Sequence, residues 1–166
     1  TMHHLLTHTS GLPLGTEYCD SPLHIAWAWG QKEGWAAPGR RLAYSNDGFK
    51  IAGVIIEAVS GESADRYVAA HIMQPLHMDA SRARITAEDR CKAATGYVRA
   101  AHGGPAQRHH HRCVAPWVVG ASADGSVISS GPELCALVRM LLRGGLTDDG
   151  GRLLSPTAWA TMRRAH

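Results

Sequence analysis

The sequence predicts a mostly helical chain with a few short strands, and three observations carry that expectation. Apolar residues recur at helical spacing in two long stretches: Ile51, Ala52, Ile55, Ile56 and Val59, then Leu134, Leu137, Val138 and Leu141. Residues that start and stop helices bracket both, with Gly61 closing the first, and Ser130 and Gly144-Gly145 enclosing the second. Strand-like patterning is confined to Ala94-Thr95-Gly96-Tyr97-Val98.

Taken in order, Thr1 is a plausible N-cap for a short helix with Met2, Leu5 and Leu6 on its apolar face, stopped at Ser10-Gly11-Leu12-Pro13. A second helix is expected from Ser21 and Pro22 to Gly34, turning Leu23, Ala26, Trp27 and Trp29 inward, with Trp35 at core or rim. Pro38-Gly39 marks a turn, after which Leu42, Ala43 and Tyr44 lead into the Ile51–Val59 helix, with Gly61 just past its end. Ser63 can cap a further helix carrying Tyr67, Val68, Ile72 and Met73 inward and ended by Pro75, which makes a helical hairpin about Gly61. Residues 100–112, rich in Gly, His and Arg, read as an exposed loop. A Gly- and Ser-rich link from Gly120 to Gly131 precedes the Leu134–Leu141 helix, where Ser130 and Glu133 have capping-box spacing. Thr147 to Gly151 is turn chemistry, and Ser155-Pro156 opens a last helix with Trp159 and Met162 inward.

Composition excludes several function classes. At 166 residues the chain suits one domain with a sizeable core. No apolar run is long enough to span a bilayer. A formal charge of +3 and scattered basic residues, such as Arg40-Arg41 and Arg163-Arg164, do not predict a nucleic-acid partner. Cys19, Cys91, Cys113 and Cys135 form no Cys-x-x-Cys pair, so they read as separate thiols and leave the compartment open. His109-His110-His111, with His102 nearby, lack a paired carboxylate or cysteine, so neither a metal site nor a cofactor is expected.

The chemistry-bearing words come in a fixed order. Leu5-Leu6-Thr7-His8-Thr9-Ser10-Gly11-Leu12-Pro13 is followed by Pro38-Gly39, Tyr44-Ser45-Asn46-Asp47-Gly48, Gly53-Val54-Ile55-Ile56-Glu57 and Ser60-Gly61. Next come Ile72-Met73-Gln74-Pro75-Leu76-His77-Met78, Ala94-Thr95-Gly96-Tyr97, the Ser129-Ser130 helix start and Leu153-Leu154-Ser155-Pro156. This series resembles the serine β-lactamase and penicillin-binding-protein-like family, which covers class C β-lactamases, D-alanyl-D-alanine carboxypeptidases and family VIII esterases. It departs from the family's pattern at His77, where glycine is usual, and at Gly125 to Ser130, where Gly-Gly-Leu usually precedes Ser-Ser.

The resemblance implies an α+β fold in which this chain is the helical region, a single partial domain over residues 1–166 with the full sheet not encoded. It implies a pocket built from Ser-x-x-Lys, Tyr-x-Asn and Lys/His-x-Gly, where a serine activated by a neighbouring base attacks a carbonyl and forms an acyl-enzyme. By that resemblance Tyr44 and Asn46 are the catalytic pair: Tyr44 relays the proton, and Asn46 binds the substrate's amide or the catalytic lysine. A tyrosine relay needs a cationic neighbour, because an unperturbed phenol ionises only near pH 10. Ser45 is the intervening residue and not the nucleophile. His8 is expected to order its loop by hydrogen bonding, and a hydroxyl of Tyr44 capping the following helix is the bland alternative for that residue.

No serine is followed three residues later by lysine, since Ser63 precedes Arg66 and Ser81 precedes Arg84. Arginine stays protonated and cannot replace that base. His102-Gly103-Gly104 spells His-x-Gly but sits in a polar loop without a strand pattern. The expectation is therefore an internal fragment of a hydrolase, inactive alone, whose parent takes a small-molecule or peptide acyl substrate. The alternative is a non-catalytic binding module on the same scaffold. Apolar surface left open where a sheet would dock makes a homo-oligomer an expected partner.

Overall fold

A computed structural model of the chain describes residues 1–12, 27, 30, 36–99, 112–115, 117 and 119–164. It is mostly helical, as the sequence predicts. Helix α1 (Met2–Leu6) is capped by Thr1, whose hydroxyl accepts the His4 amide at 3.4 Å. Met2 and Leu5 are half-buried, but Leu6 is exposed, because five residues make little more than one turn and cannot turn all three inward. Of the helix expected from Ser21, Leu23, Ala26 and Trp29 lie outside the described residues, as does Trp35. Trp27 and Gly30 have helical backbone, and Trp27 is exposed where burial was expected.

Residues 36–45 run back along the end of α1. The Gly39 amide donates to the Thr9 carbonyl at 2.8 Å, and the Arg40 amide closes a turn onto Ala37 at 3.2 Å. Pro38 and Gly39 occupy the turn's centre, where the φ of +81° at Gly39 needs a residue without a Cβ. Helix α2 (Asn46–Ser60) follows, with Ser45 as N-cap and Gly61 left-handed at φ +75°. Of the expected apolar series Ala52 is buried, Ile51, Ile55 and Ile56 are half-buried and Val59 is exposed near the C-terminus, while Asp47, Gly48, Lys50 and Gly53 are buried as well. A Cβ on Gly53 would come within 2.9 Å of the Ala123 side chain, so the 120–126 segment lies directly on α2.

Beyond Gly61, helix α3 (Ala64–Val68) completes the hairpin. The Ala64 amide is satisfied by the Glu57 carboxylate at 3.1 Å, while Ser63 makes no cap hydrogen bond. The helix then loosens to a π turn (Ala69–Met73) and tightens to a 3-10 turn (Gln74–Leu76) that includes Pro75. Pro75 was expected to end the helix. It is instead accommodated in the opening of the 3-10 turn, where a missing N–H costs little, and the stop falls at His77. His77 has φ +53°, the left-handed region. This is the position where the resembled family usually has glycine, and a side chain there costs roughly 1–2 kcal/mol of local strain. His77→Gly should raise stability by about 0.5–1 kcal/mol after the extra unfolded-state freedom of glycine is discounted. An increase in urea midpoint at unchanged m-value would show it.

Residues 82–85 pair with the link before the next helix: the Arg82 and Ile128 backbones exchange two hydrogen bonds at 2.9 Å, and Ile85 pairs with Gly120. Strand β1 (Tyr97–Arg99) starts later than expected and pairs antiparallel with β2 (Arg112–Val114), Tyr97 opposite Val114. Arg112, expected as the last loop residue, is the first residue of β2, because its backbone pairs with Arg99. The rest of the loop, with His102 and His109 to His111, lies outside the described residues. Among the described residues this two-stranded ribbon is the only sheet.

Helix α4 (Gly131–Leu142) starts at Ser130, but the expected capping box does not form. Glu133 turns away to accept the Ser81 hydroxyl and the Ala80 amide, the latter at 2.8 Å, and the Ser81 hydrogen bond holds its carboxyl below the usual range. The expected apolar face is only half kept inward. Leu137, Met140 and Leu141 pack inward, while Leu134 and Val138 are exposed together with Leu142. Gly144 and Gly145, both at positive φ, end the helix as expected. Helix α5 (Pro156–Met162) is capped by the Ser155 hydroxyl on the Ala158 amide at 3.0 Å. Trp159 donates to the Leu141 carbonyl at 2.7 Å, and Met162 is exposed rather than inward. The core gathers Met73, Leu76, Met78 and Met140 against Ile72, Leu137, Leu153 and Leu154. No described helix is long and apolar enough to cross a membrane, and Cys91 and Cys135 are free thiols.

Candidate active site

Tyr44, Ser45 and Asn46 sit where the 36–45 segment turns into α2, and each residue meets a different environment. Ser45 is 1% exposed, with extended backbone at φ −146°, and its hydroxyl accepts the Gly48 amide at 3.3 Å. This is N-cap geometry, satisfying one of the amides that a helix start leaves without a partner. Its burial and bonding argue against Ser45 as a nucleophile. Tyr44, one residue before the cap, is 55% exposed. The cap is made by Ser45, so the alternative role for the Tyr44 hydroxyl as helix cap is not needed. Asn46 is half-buried at the first helical position.

His8 holds this element from the other side. Its Nδ1 accepts the Ser45 amide at 3.2 Å, and its carbonyl accepts the Ala43 amide at 2.8 Å. The imidazole lies 4.6 Å from the Tyr44 ring and 5.1 Å from the Phe49 ring, centroid to centroid. The expected ordering role of His8 is thus visible, and it acts on the Tyr44 segment itself.

Beneath the helix start lies a charged group that the motif reading passed over. Lys50 Nζ is 3.6 Å from Asp47 Oδ1 and 3.8 Å from Asp124 Oδ2. The Asp47 side chain is 0% exposed, and those of Lys50 and Asp124 are 10% and 16% exposed. The Ser122 hydroxyl also donates to Asp124. The one local sequence signal was the three-residue spacing of Asp47 and Lys50, which puts both on one face of a helix. Asp124 lies 74 positions beyond Lys50 by number (124 − 50), and no periodicity links them. The trio ties α2 to the segment leading into Ser129 and Ser130. These two serines line a cavity of about 530 Å³ with Arg82, Asp89 and Lys92.

Several solved structures share this architecture. The octameric penicillin-binding protein homologue from Pyrococcus abyssi is 29% identical, with a TM-score of 0.76 over 99% of this chain and 38% of its own. The penicillin binding protein from Bacillus halodurans is 24% identical, with a TM-score of 0.75 over 100% of this chain and 51% of its own. The D-stereospecific amidohydrolase from a Streptomyces species is 24% identical, with a TM-score of 0.74 over 98% of this chain and 50% of its own. The chain therefore spans about half or less of the length of these structures. No curated protein sequence matches it. The family profile described as Beta-lactamase matches residues 1–166, and on that ground the chain, a serine hydrolase scaffold, belongs to the β-lactamase family.

Proposed function

We propose that this chain supplies the tyrosine and asparagine corner of an acylation site in a serine hydrolase acting on a β-lactam, a D-alanyl peptide or an ester. The observation that carries the reading is the split at the start of α2: Ser45 is buried as the cap, while Tyr44 beside it stays largely open. Tyr44 relays the proton of a serine hydroxyl, and Asn46 orients the substrate amide or the catalytic lysine. The serine, its lysine and the Lys/His-x-Gly element come from residues outside this chain, which has no Ser-x-x-Lys. The similar structures, penicillin-binding proteins and a D-stereospecific amidohydrolase, favour acyl substrates of this class. Self-association through the exposed Leu134, Val138 and Leu142 stripe of α4 accompanies this reading, in keeping with the octameric Pyrococcus abyssi homologue.

Alone, the chain is expected to be inert. Incubated with a chromogenic cephalosporin and a short-chain nitrophenyl ester, it should show no turnover above buffer and an unchanged intact mass. Turnover abolished by Tyr44→Phe, or an acyl adduct on any serine of the chain, would place a nucleophile within residues 1–166 and overturn this division of labour.

A further inference from the structure

We infer that His8 is the positioning residue of the Tyr44–Asn46 element, gripping the backbone on both sides of Tyr44 through a bare Nδ1 and a strained main chain. The significance of this grip for catalysis rests on the function proposed above; the grip itself does not.

The two amides that flank Tyr44 both end on His8. Ala43 donates to its carbonyl at 2.8 Å, and Ser45 donates to its Nδ1 at 3.2 Å. Tyr44 is thus bracketed by one residue, which holds the Leu42–Ala43 and Tyr44–Ser45 peptide units, and its ring rests on the same imidazole at 4.6 Å. Phe49, one turn into α2, contacts that imidazole at 5.1 Å and limits its rotation. His8 is held at φ +55°, a conformation that costs a non-glycine residue roughly 1–2 kcal/mol and persists only where the surroundings over-determine it. Glycine would relieve the strain and lose the ring. A nitrogen that accepts an amide N–H carries no proton, so the geometry requires the neutral tautomer with hydrogen on Nε2. A tyrosine this exposed, asked to relay a proton, must be held in place largely through its backbone.

Two substitutions separate the acceptor from the ring. His8→Asn places an amide oxygen near the Nδ1 position and tolerates a left-handed backbone, whereas His8→Phe keeps the stacking ring and removes the acceptor. Amide hydrogen exchange of the Ser45 N–H, read by NMR on the whole chain, should be about five- to tenfold faster in His8→Phe, as expected for losing one hydrogen bond. In His8→Asn it should stay within about twofold of the parent, a rescue that ring packing alone would not give. Nitrogen-15 shifts of the parent's His8 should report an unprotonated Nδ1 and a protonated Nε2, a signature that needs no variant to fold. Unchanged Ser45 exchange in His8→Phe, equal acceleration in both variants, or a protonated Nδ1 in the neutral ring would each overturn the inference. None of these readouts depends on activity. If Tyr44→Phe proves neutral for acylation while the His8 results hold, the catalytic reading fails and the grip stands.

Discussion

Asp47→Ala should be the most destabilising single change at the start of α2, costing about 3–5 kcal/mol. The Asp47 carboxylate is fully buried, 3.6 Å from a Lys50 ammonium that is itself nearly buried. Taking two charges out of water is costly, and their attraction roughly offsets that cost; removing one leaves the other still desolvated. Asp124, at 3.8 Å, takes up part of the load, so the lower end of the range is expected. Asp47 also lies in the first turn of α2, where the helix dipole favours a negative charge. For a chain of this size the change corresponds to a fall in melting temperature of roughly 6–20 °C. Adding Lys50→Met to Asp47→Ala should recover little of the loss, because it takes away the cation paired with Asp124 and leaves that carboxylate uncompensated. A loss below about 1 kcal/mol for Asp47→Ala alone, by urea unfolding, would show that Asp124 suffices and that the trio is not a unit.

Elements whose signals are local were legible in the sequence. Thr1 and Ser155 cap their helices, Gly61 and Gly144-Gly145 end theirs, and Pro38-Gly39 turns, because each depends on residues within one turn of chain. Errors gathered where a distant partner outcompetes a local one. Glu133 has the right spacing to complete a capping box with Ser130, yet bonds Ser81, 52 residues away. The apolar periodicity of α2 correctly located a helix, with Ala52 buried and Ile51, Ile55 and Ile56 half-buried, but gave no sign that Asp47 and Lys50 would also be buried. At the candidate site, the ordered motifs nominated Tyr44 and Asn46, and the His8 loop was expected to be ordered by hydrogen bonds. That His8 spans to Ala43 and Ser45, and that Asp124 pairs with Lys50 beneath them, are contacts across up to 37 and 74 residues (45 − 8; 124 − 50), which spacing along the chain does not encode.

Tyr44→Phe carries the largest expected effect on chemistry. In a longer protein that joins this chain to a Ser-x-x-Lys segment and a Lys/His-x-Gly strand, the substitution keeps the ring against His8 and removes only the hydroxyl, leaving the Ser45 cap untouched. Loss of a general acid or base costs roughly a hundred- to ten-thousand-fold in rate. An interaction made mainly in the transition state should appear in kcat and in kcat/KM alike, with KM little changed. The deciding measurement is the acylation rate of that longer protein with a fluorescent penicillin or a nitrophenyl ester, Tyr44→Phe against parent, with matched melting temperatures. Slowing of about a hundredfold or more, with the label on the serine of Ser-x-x-Lys, is the expected result; an acylation rate within about threefold of the parent would contradict Tyr44 as the proton relay.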